Sequence, residues 1–243
     1  MSADTPTILA TSGGLVAGRR IRWELGPLTE FAIDLAGTDA RAPSVCFLAT
    51  AVGDNPSAVY SFYEAAQHRG LRASHVALFP MPNLDDVRSH LLAQDVIWVN
   101  GGSVAGLLAM WRIHGLDDIM REAWQAGVVL TGASAGSICW HVGGTTDSYG
   151  PELRPITDGL AFLPYSNGVH YDSEDQRRPL FQALIADAVL PAGYATEDGV
   201  GLLYHGSQLA EALTEVEGKA AYRVARDTQG RVLEERIEPR LLT

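Results

Sequence analysis

The chain has 243 residues, of which 47% are hydrophobic and 19% charged, and this balance excludes an intrinsically disordered protein. A formal net charge of −11 excludes the basic surface that nucleic acids and anionic membranes attract. No apolar run approaches the roughly 20 residues of a membrane span, and the first residues lack the basic segment of a signal peptide. We therefore expect no nucleic-acid partner and no membrane partner.

Two cysteines, Cys46 and Cys139, lie in apolar surroundings and are predicted to be buried thiols rather than disulfide partners. Reduced thiols indicate a cytoplasmic location. The sequence contains no linker, repeat or low-complexity segment. One domain over residues 1–243 is therefore the simplest prediction.

Continuously apolar segments alternate with amphipathic ones in the first two-thirds of the chain, which predicts parallel strands buried on both faces and connected by helices. The predicted strands are TILATSGG (7–14), SVCFLATA (44–51), SHVALFP (74–80), DVIWVNGG (95–102) and VVLTGAS (128–134). The predicted helices are residues 55–70, 82–94 and 103–127, the last divided in two near His114-Gly115. Right-handed crossovers between such strands give an α/β fold with a doubly wound, mostly parallel sheet flanked by helices.

After about residue 190 the pattern changes to short strands joined by turns. The predicted strand segments are TEDGVGLLYHGSQLAEAL (196–213), AAYRVARD (220–227) and RVLEERIEP (231–239). A turn is expected at Asp227-Thr228-Gln229-Gly230. We therefore expect a β-rich C-terminal end.

A G-x-S-x-G pattern, Gly132-Ala133-Ser134-Ala135-Gly136, stands directly after a predicted strand and before a helix-compatible segment. This context favours a nucleophile elbow, in which a sharp turn projects the serine hydroxyl beyond the sheet. The amide of Ala135, and one from Gly101 or Gly102 at the end of the preceding strand, would stabilise an oxyanion. The alternative is that both glycine-rich segments serve only tight turns and close packing.

His170 is the best candidate among the seven histidines for the base that activates Ser134. It follows the apolar stretch 160–169 at a predicted strand-to-loop exit, from which a base can meet a serine at the sheet edge. His141 is closer in sequence, but we expect it on the helix after the elbow, nearly two turns along.

Neither a metal nor a cofactor is expected. The histidines show no H-x-x-x-H or H-E-x-x-H spacing, and neither cysteine has a close partner of ligand type. Gly13-Gly14 after the first strand lacks the third glycine of a dinucleotide-binding loop.

Taken together, several segments resemble the peptidase E family, serine peptidases related in fold to the class I glutamine amidotransferases. The likeness covers nearly the whole chain and rests on VNGGSVAGLL, GLDDIMREAWQAGVVLTGASAGS, GGTTD, GVHYDSEDQR and TEDGVGLLYHG. It implies a peptidase that acts on short peptides, with Ser134 as nucleophile and His170 as base. It also implies oxyanion donors near Gly102 and Ala135.

The resemblance implies Asp147, in GGTTD, as the carboxylate that orients the histidine. Two more candidates for this role stay open. Asp172 follows His170 by two residues, the spacing that amidotransferases of this fold use for their triad glutamate. Glu152 lies where related enzymes use a glutamate.

One position departs from the family pattern. Relatives that remove an N-terminal aspartate have an arginine shortly after the catalytic histidine, and this sequence has Glu174 there. A carboxylate repels a substrate carboxylate, so the sequence does not support an aspartyl preference. Arg177 and Arg178 are the alternative cations, although neighbouring helical residues turn to different faces.

Three rival functions compete with the peptidase. The first is a general esterase of the α/β-hydrolase fold, which would place its histidine near the C-terminus, whereas a long segment follows His170. The second is a serine esterase or amidase of the same fold as peptidase E, and the third is an inactive relative that binds small molecules. Whichever function is correct, the default expectation for the oligomeric state is a homodimer, because dimers are the commonest oligomers.

Overall fold

The computed structural model describes residues 5–38 and 41–242, which form helices, strands and short connections. The helices are α1 Pro27–Asp34, α2 Pro56–Arg69, α3 Val87–Leu92, α4 Val104–His114, α5 Leu116–Gln125, α6 Ala135–Ile138 and α7 Arg177–Ala186, with a 3-10 helix at Thr50–Val52. The first eight strands are β1 Thr7–Thr11, β2 Leu15–Ala17, β3 Trp23–Leu25, β4 Ser44–Leu48, β5 Arg72–Val76, β6 Val96–Val99, β7 Val129–Ala133 and β8 His141–Thr146. The others are β9 Arg154–Ile156, β10 Leu163–Gly168, β11 Gly193–Thr196, β12 Val200–His205, β13 Gln208–Thr214, β14 Ala221–Arg226, β15 Val232–Ile237 and β16 Arg240–Leu241. Among the described residues, no helix combines the length and the apolar character needed to cross a membrane.

The five strands predicted from apolar runs form the parallel part of an eight-stranded sheet. Its strand order is β16-β13-β12-β1-β7-β6-β4-β5, and every neighbouring pair from β1 to β5 is parallel. Strand β12 pairs antiparallel with β1 and β13, so the sheet is mixed at its other end. The α/β class and the mostly parallel sheet are therefore confirmed.

Successive residues of the central strands belong to different cores, because strand side chains alternate between the two faces of a sheet. Cys46 and Leu48 of β4 lie in the larger apolar cluster, with Trp111 of α4. Val45 and Phe47 of the same strand lie in another cluster, which includes residues of α2. Helices thus cover both faces, as expected for a doubly wound sheet.

A second sheet of six strands differs from the sequence-based expectation. Its order is β15-β14-β11-β10-β8-β9, with β8, β10 and β11 parallel. It begins at His141, which we expected on a helix. Helix α6 has only four residues, so the chain leaves the elbow after one turn and enters β8. The β-rich C-terminal end extends both sheets.

Helix α2, helix α3 and the α4–α5 pair lie within the predicted ranges 55–70, 82–94 and 103–127, whereas α1 and α7 lie outside those ranges. α4 and α5 meet at Gly115, which has a left-handed φ of 68°, as the His114-Gly115 signal predicts. α3 is shorter than the predicted 82–94, because Asp86 caps it: its side chain accepts a hydrogen bond from the Ser89 amide. The residues before Asp86 form a loop.

Candidate active site

Ser134 stands in the sharp turn between β7 and α6, as the G-x-S-x-G pattern predicts. Its φ and ψ angles are 55° and −110°, a conformation that non-glycine residues rarely adopt. The amide of Ser134 donates to the Thr11 carbonyl at the end of β1, 3.0 Å away. The neighbouring strand therefore holds the serine in its strained conformation.

Gly136, the second glycine of the pattern, is required by close backbone contact. A β-carbon there would lie less than 3.0 Å from the carbonyl oxygen of Val99 at the end of β6. Such a distance is too short for real side chains, so the elbow tolerates no side chain at this position. The glycines of the motif thus let the turn pack directly against the neighbouring strand.

Two of the predicted oxyanion donors, Gly101 and Ala135, lie beside the serine. A β-carbon at Gly101 would stand 3.3 Å from Cβ of Ser134, which puts Gly101 in contact range of that serine. Within residues 5–38 and 41–242, the amides of Gly101 and Gly102 donate to no backbone carbonyl. Ala135 is the first residue of α6, where the amide has no partner within the helix. These amides are available to an oxyanion.

His170 lies two residues beyond the end of β10, at the strand-to-loop exit expected from the sequence. Its φ is 53°, and a quarter of its side chain is exposed (25%). The His170 amide donates to Oγ of Ser12, 3.3 Å away. Thr11 accepts the Ser134 amide, and Ser12 is the next residue in the chain. Two consecutive residues at the end of β1 therefore bind the backbone of both predicted catalytic residues.

Asp198 is the carboxylate that contacts the imidazole. Its Oδ1 lies 2.6 Å from Nδ1 of His170. Asp198 stands in the turn between β11 and β12, and the next amide, that of Gly199, donates to the Ser12 carbonyl at 3.0 Å. No local sequence signal predicts a role for this aspartate, although TEDGVGLLYHG carries part of the family likeness.

Asp172 supports Asp198 rather than His170. Its Oδ1 accepts the amide hydrogen of Asp198 at 2.9 Å, and its Oδ2 forms an ion pair with Lys219. Burial raises the pKa of Asp172, but the hydrogen bonds from Lys219 and from the Asp198 amide outweigh burial and lower it. Asp172, the acid suggested by the amidotransferase spacing, thus binds the backbone of Asp198, which is the residue that contacts His170.

Asp147, the acid implied by the family resemblance, has no hydrogen bond to His170 among the described residues. Asp147 is exposed. The next residue, Ser148, contacts helix α4, because its Oγ accepts the amide hydrogen of Ala105 at 3.2 Å. Nδ1 of the imidazole is instead occupied by Asp198. Glu152 is likewise exposed and makes no described contact with His170.

Asp147 instead lines an acidic cleft beside His170. The cleft measures about 410 Å³ and is lined by Asp147, Pro151, Leu153, Glu174, Asp175 and Gln176. The Glu174 amide donates to the His170 carbonyl at 3.3 Å, so the cleft adjoins the histidine turn.

Neither nearby arginine is free to replace the aspartate-binding arginine of the family. Arg177 is buried, and its guanidinium donates to Glu174 at 2.8 Å and to the Thr145 carbonyl at 2.6 Å. Arg178 forms an ion pair with Glu234 of β15. The departure at Glu174 is therefore not compensated by either residue.

Both cysteines are buried and free, as predicted. Burial raises the pKa of Cys46 to about 12 and raises the pKa of Cys139 well above its ordinary value. Both thiols are therefore protonated and unreactive at neutral pH. In the described part of the chain, no group of three or more His, Cys, Asp or Glu side chains is arranged to hold a metal ion.

Residues 8–212 match the family model described as Peptidase family S51. The chain is 44% identical over 182 residues to the uncharacterized peptidase YgaJ of Bacillus subtilis (strain 168). The aligned residues cover 75% of this chain and 78% of that protein. It is 25% identical over 162 residues to peptidase E of Shewanella denitrificans, covering 63% of this chain and 68% of that protein.

Two crystal structures are similar in fold. One is a protein of Listeria monocytogenes EGD-e described as a candidate peptidase E, with a TM-score of 0.58, 17% identity, and coverage of 96% of this chain and 98% of that chain. The other is a peptidase from an acI-B1 Actinobacterium, with a TM-score of 0.61, 15% identity and 95% coverage of both chains. At these identities the two structures bear on the fold alone.

Proposed function

Since the chain belongs to peptidase family S51, we propose that it is a serine peptidase that hydrolyses short peptides through Ser134, His170 and Asp198. The observation that carries this proposal is the 2.6 Å contact between Oδ1 of Asp198 and Nδ1 of His170. A carboxylate at Nδ1 fixes the imidazole tautomer and leaves Nε2 to accept a proton. The strained elbow at Ser134 supports the same assignment.

The proposed reaction proceeds through an acyl-enzyme. His170 takes the proton from Oγ of Ser134 as this oxygen attacks the scissile carbonyl. The amides of Ala135 and of Gly101 or Gly102 stabilise the oxyanion. His170 then protonates the leaving amine, and a water molecule, activated by the same imidazole, releases the acyl product from the serine.

We infer that the enzyme does not prefer an N-terminal aspartate. Glu174 adjoins the His170 turn and lines the acidic cleft, whose carboxylates together would repel an aspartyl side chain. Arg177 and Arg178 are bound by Glu174 and Glu234. Peptides with a neutral or basic first residue fit these surroundings better. The free, buried thiols fit the proposed cytoplasmic location.

The test is amine release from dipeptides and tripeptides that begin with Asp, Glu, a neutral residue or Lys. Wild type is compared with Ser134→Ala, and with Ser173→Ala as an exposed control near the histidine. We expect cleavage by wild type and by the control, and none by Ser134→Ala. Absence of cleavage of every peptide by folded wild type would refute the peptidase proposal.

The Glu174→Gln variant tests the specificity inference separately. Removing the negative charge should raise kcat/KM for Asp-X peptides several-fold relative to neutral-X peptides. Wild-type activity that is highest on Asp-X peptides would contradict the inference while leaving the serine mechanism intact.

A further inference from the structure

The C-terminal hairpin lies outside residues 8–212, the part of the chain that the family model matches. It consists of β14 and β15, which pair antiparallel, and β14 also pairs with β11. Strand β11 leads directly into the turn that carries Asp198. The hairpin is therefore attached to the element that presents the proposed catalytic acid.

On the histidine side, the hairpin binds the residue that follows His170. The Tyr171 hydroxyl donates to Oε2 of Glu234 on β15 at 2.8 Å, and Gln182 donates to the same oxygen at 2.7 Å. Arg178 pairs with the other oxygen of Glu234, and its guanidinium lies 5.3 Å from the centre of the Tyr171 ring. The Glu234 side chain is only 16% exposed.

On the aspartate side, the hairpin and the residues just before it hold the backbone around Asp198. They bind Glu197, which precedes Asp198, and they bind the Asp198 amide through Asp172. Glu197 accepts hydrogen bonds from the Tyr222 hydroxyl and from the Ala220 amide, each at 2.8 Å. Lys219 pairs with Asp172, which accepts the amide of Asp198 at 2.9 Å. Both proposed catalytic residues are thus held from the same C-terminal segment.

We propose that Glu234 and Lys219 are positioning residues that keep Asp198 aligned with Nδ1 of His170. This inference rests on the proposed function. Neither residue contacts the imidazole or the Ser134 hydroxyl among the described contacts, so each acts through a neighbour. A misplacement of about 1 Å in a catalytic group costs on the order of a hundredfold in rate. Loss of the Glu234–Tyr171 contact or of the Lys219–Asp172 contact should therefore slow the chemical step and leave substrate binding unchanged.

The test uses Glu234→Leu and Lys219→Met, which break the two sets of contacts independently, in the full-length protein. The matched control is Glu235→Gln, because Glu235 is the next residue on β15, is 64% exposed and, within residues 5–38 and 41–242, has only a distant ion pair with Arg223. Lys219→Arg is the conservative variant. Circular dichroism and thermal unfolding establish that each variant is folded.

On a peptide with a neutral first residue, we expect Glu234→Leu and Lys219→Met each to lower kcat roughly tenfold to a hundredfold with KM unchanged. Lys219→Arg should recover most of the loss, and Glu235→Gln should behave as wild type. The downfield proton resonance of the Nδ1–H shared by His170 and Asp198 should shift or broaden in the two disruptive variants only.

Folded Glu234→Leu and Lys219→Met variants with kcat within twofold of wild type, or with an unmoved resonance, would overturn the proposal. The resonance is measured without substrate. If wild type hydrolyses no peptide, that result refutes only the peptidase assignment. The resonance in the variants then still shows whether the C-terminal segment aligns Asp198 with His170.

Discussion

Ser134 and His170 both have positive φ angles, 55° and 53°. Conformations of this kind cost on the order of 1–3 kcal/mol each in a residue with a side chain. Their amides are bound by Thr11 and Ser12, two consecutive residues at the end of β1. The central strand of the larger sheet therefore stabilises the strained backbone on which the proposed chemistry depends.

Substitution of Asp198 distinguishes it from Asp147 as the acid of the proposed triad. Asp198→Asn should lower kcat by about 10³- to 10⁴-fold, because an amide at Nδ1 favours the wrong imidazole tautomer. Asp147→Asn, with no bond to His170, should keep kcat within a few-fold of wild type. Steady-state kinetics on a cleaved peptide measures both. The reverse ranking would restore Asp147 as the acid.

The positions of Ser134 and His170 in the fold could be predicted because each has a local signal. Ser134 stands in a motif of five residues, and His170 follows a single apolar strand. Asp198, the proposed acid, has no comparable signal. Asp198 reaches the imidazole only because β11 pairs with β10 and the following turn bonds to Ser12. A contact between elements that are separated in sequence cannot be derived from spacing alone.

At the scale of elements, the parallel strands could be predicted and the second sheet could not. Strands β1, β4 and β6 are buried along their whole length, so their continuous apolar runs are unambiguous. Strand β8, by contrast, reads HVGGTT, which has few apolar residues, and it follows a motif that normally opens a helix. The length of α6 depends on packing that the motif does not encode.

His141, at the start of β8, makes the stability of this element depend on pH. Burial lowers the pKa of His141 to about 4 from the ordinary value of 6.5, and its Nδ1 lies 2.9 Å from the Ser137 carbonyl. Between these two values the unfolded chain binds a proton that the folded chain excludes. The group's contribution to the free energy of unfolding therefore falls as the pH is lowered from 6.5 to 4.

We expect this contribution to fall by roughly 3 kcal/mol across that window. Urea unfolding at several pH values measures it in wild type and in His141→Gln, which cannot titrate. The stability of the variant should depend less steeply on pH between 6.5 and 4. Parallel curves for the two proteins would show that His141 does not titrate in this way.

At the scale of the whole molecule, the candidate site lies where the two large sheets meet. Ser134 follows β7 of the eight-stranded sheet, whereas His170 and Asp198 follow β10 and β11 of the six-stranded sheet. One apolar cluster contains residues of both sheets, including Leu130 of β7 and Leu163 of β10. The site thus depends on the docking of the sheets, and the one-domain organisation expected from the sequence remains a prediction.

Cooperative unfolding tests that prediction. Because the sheets share a core, urea unfolding followed by circular dichroism, by tryptophan fluorescence and by peptidase activity should give coincident single transitions. Loss of activity at a lower urea concentration than loss of secondary structure, with a second transition at higher urea, would indicate two separately folding units.

Covalent labelling tests most directly whether Ser134 is the nucleophile and is activated by His170. The folded protein is treated with a fluorophosphonate and analysed by mass spectrometry of the intact chain and of its peptides. We predict a single adduct on Ser134, absent from Ser134→Ala and much slower to form in His170→Ala. No adduct on folded wild type, or an adduct on another residue, would contradict the assignment of Ser134 as the nucleophile.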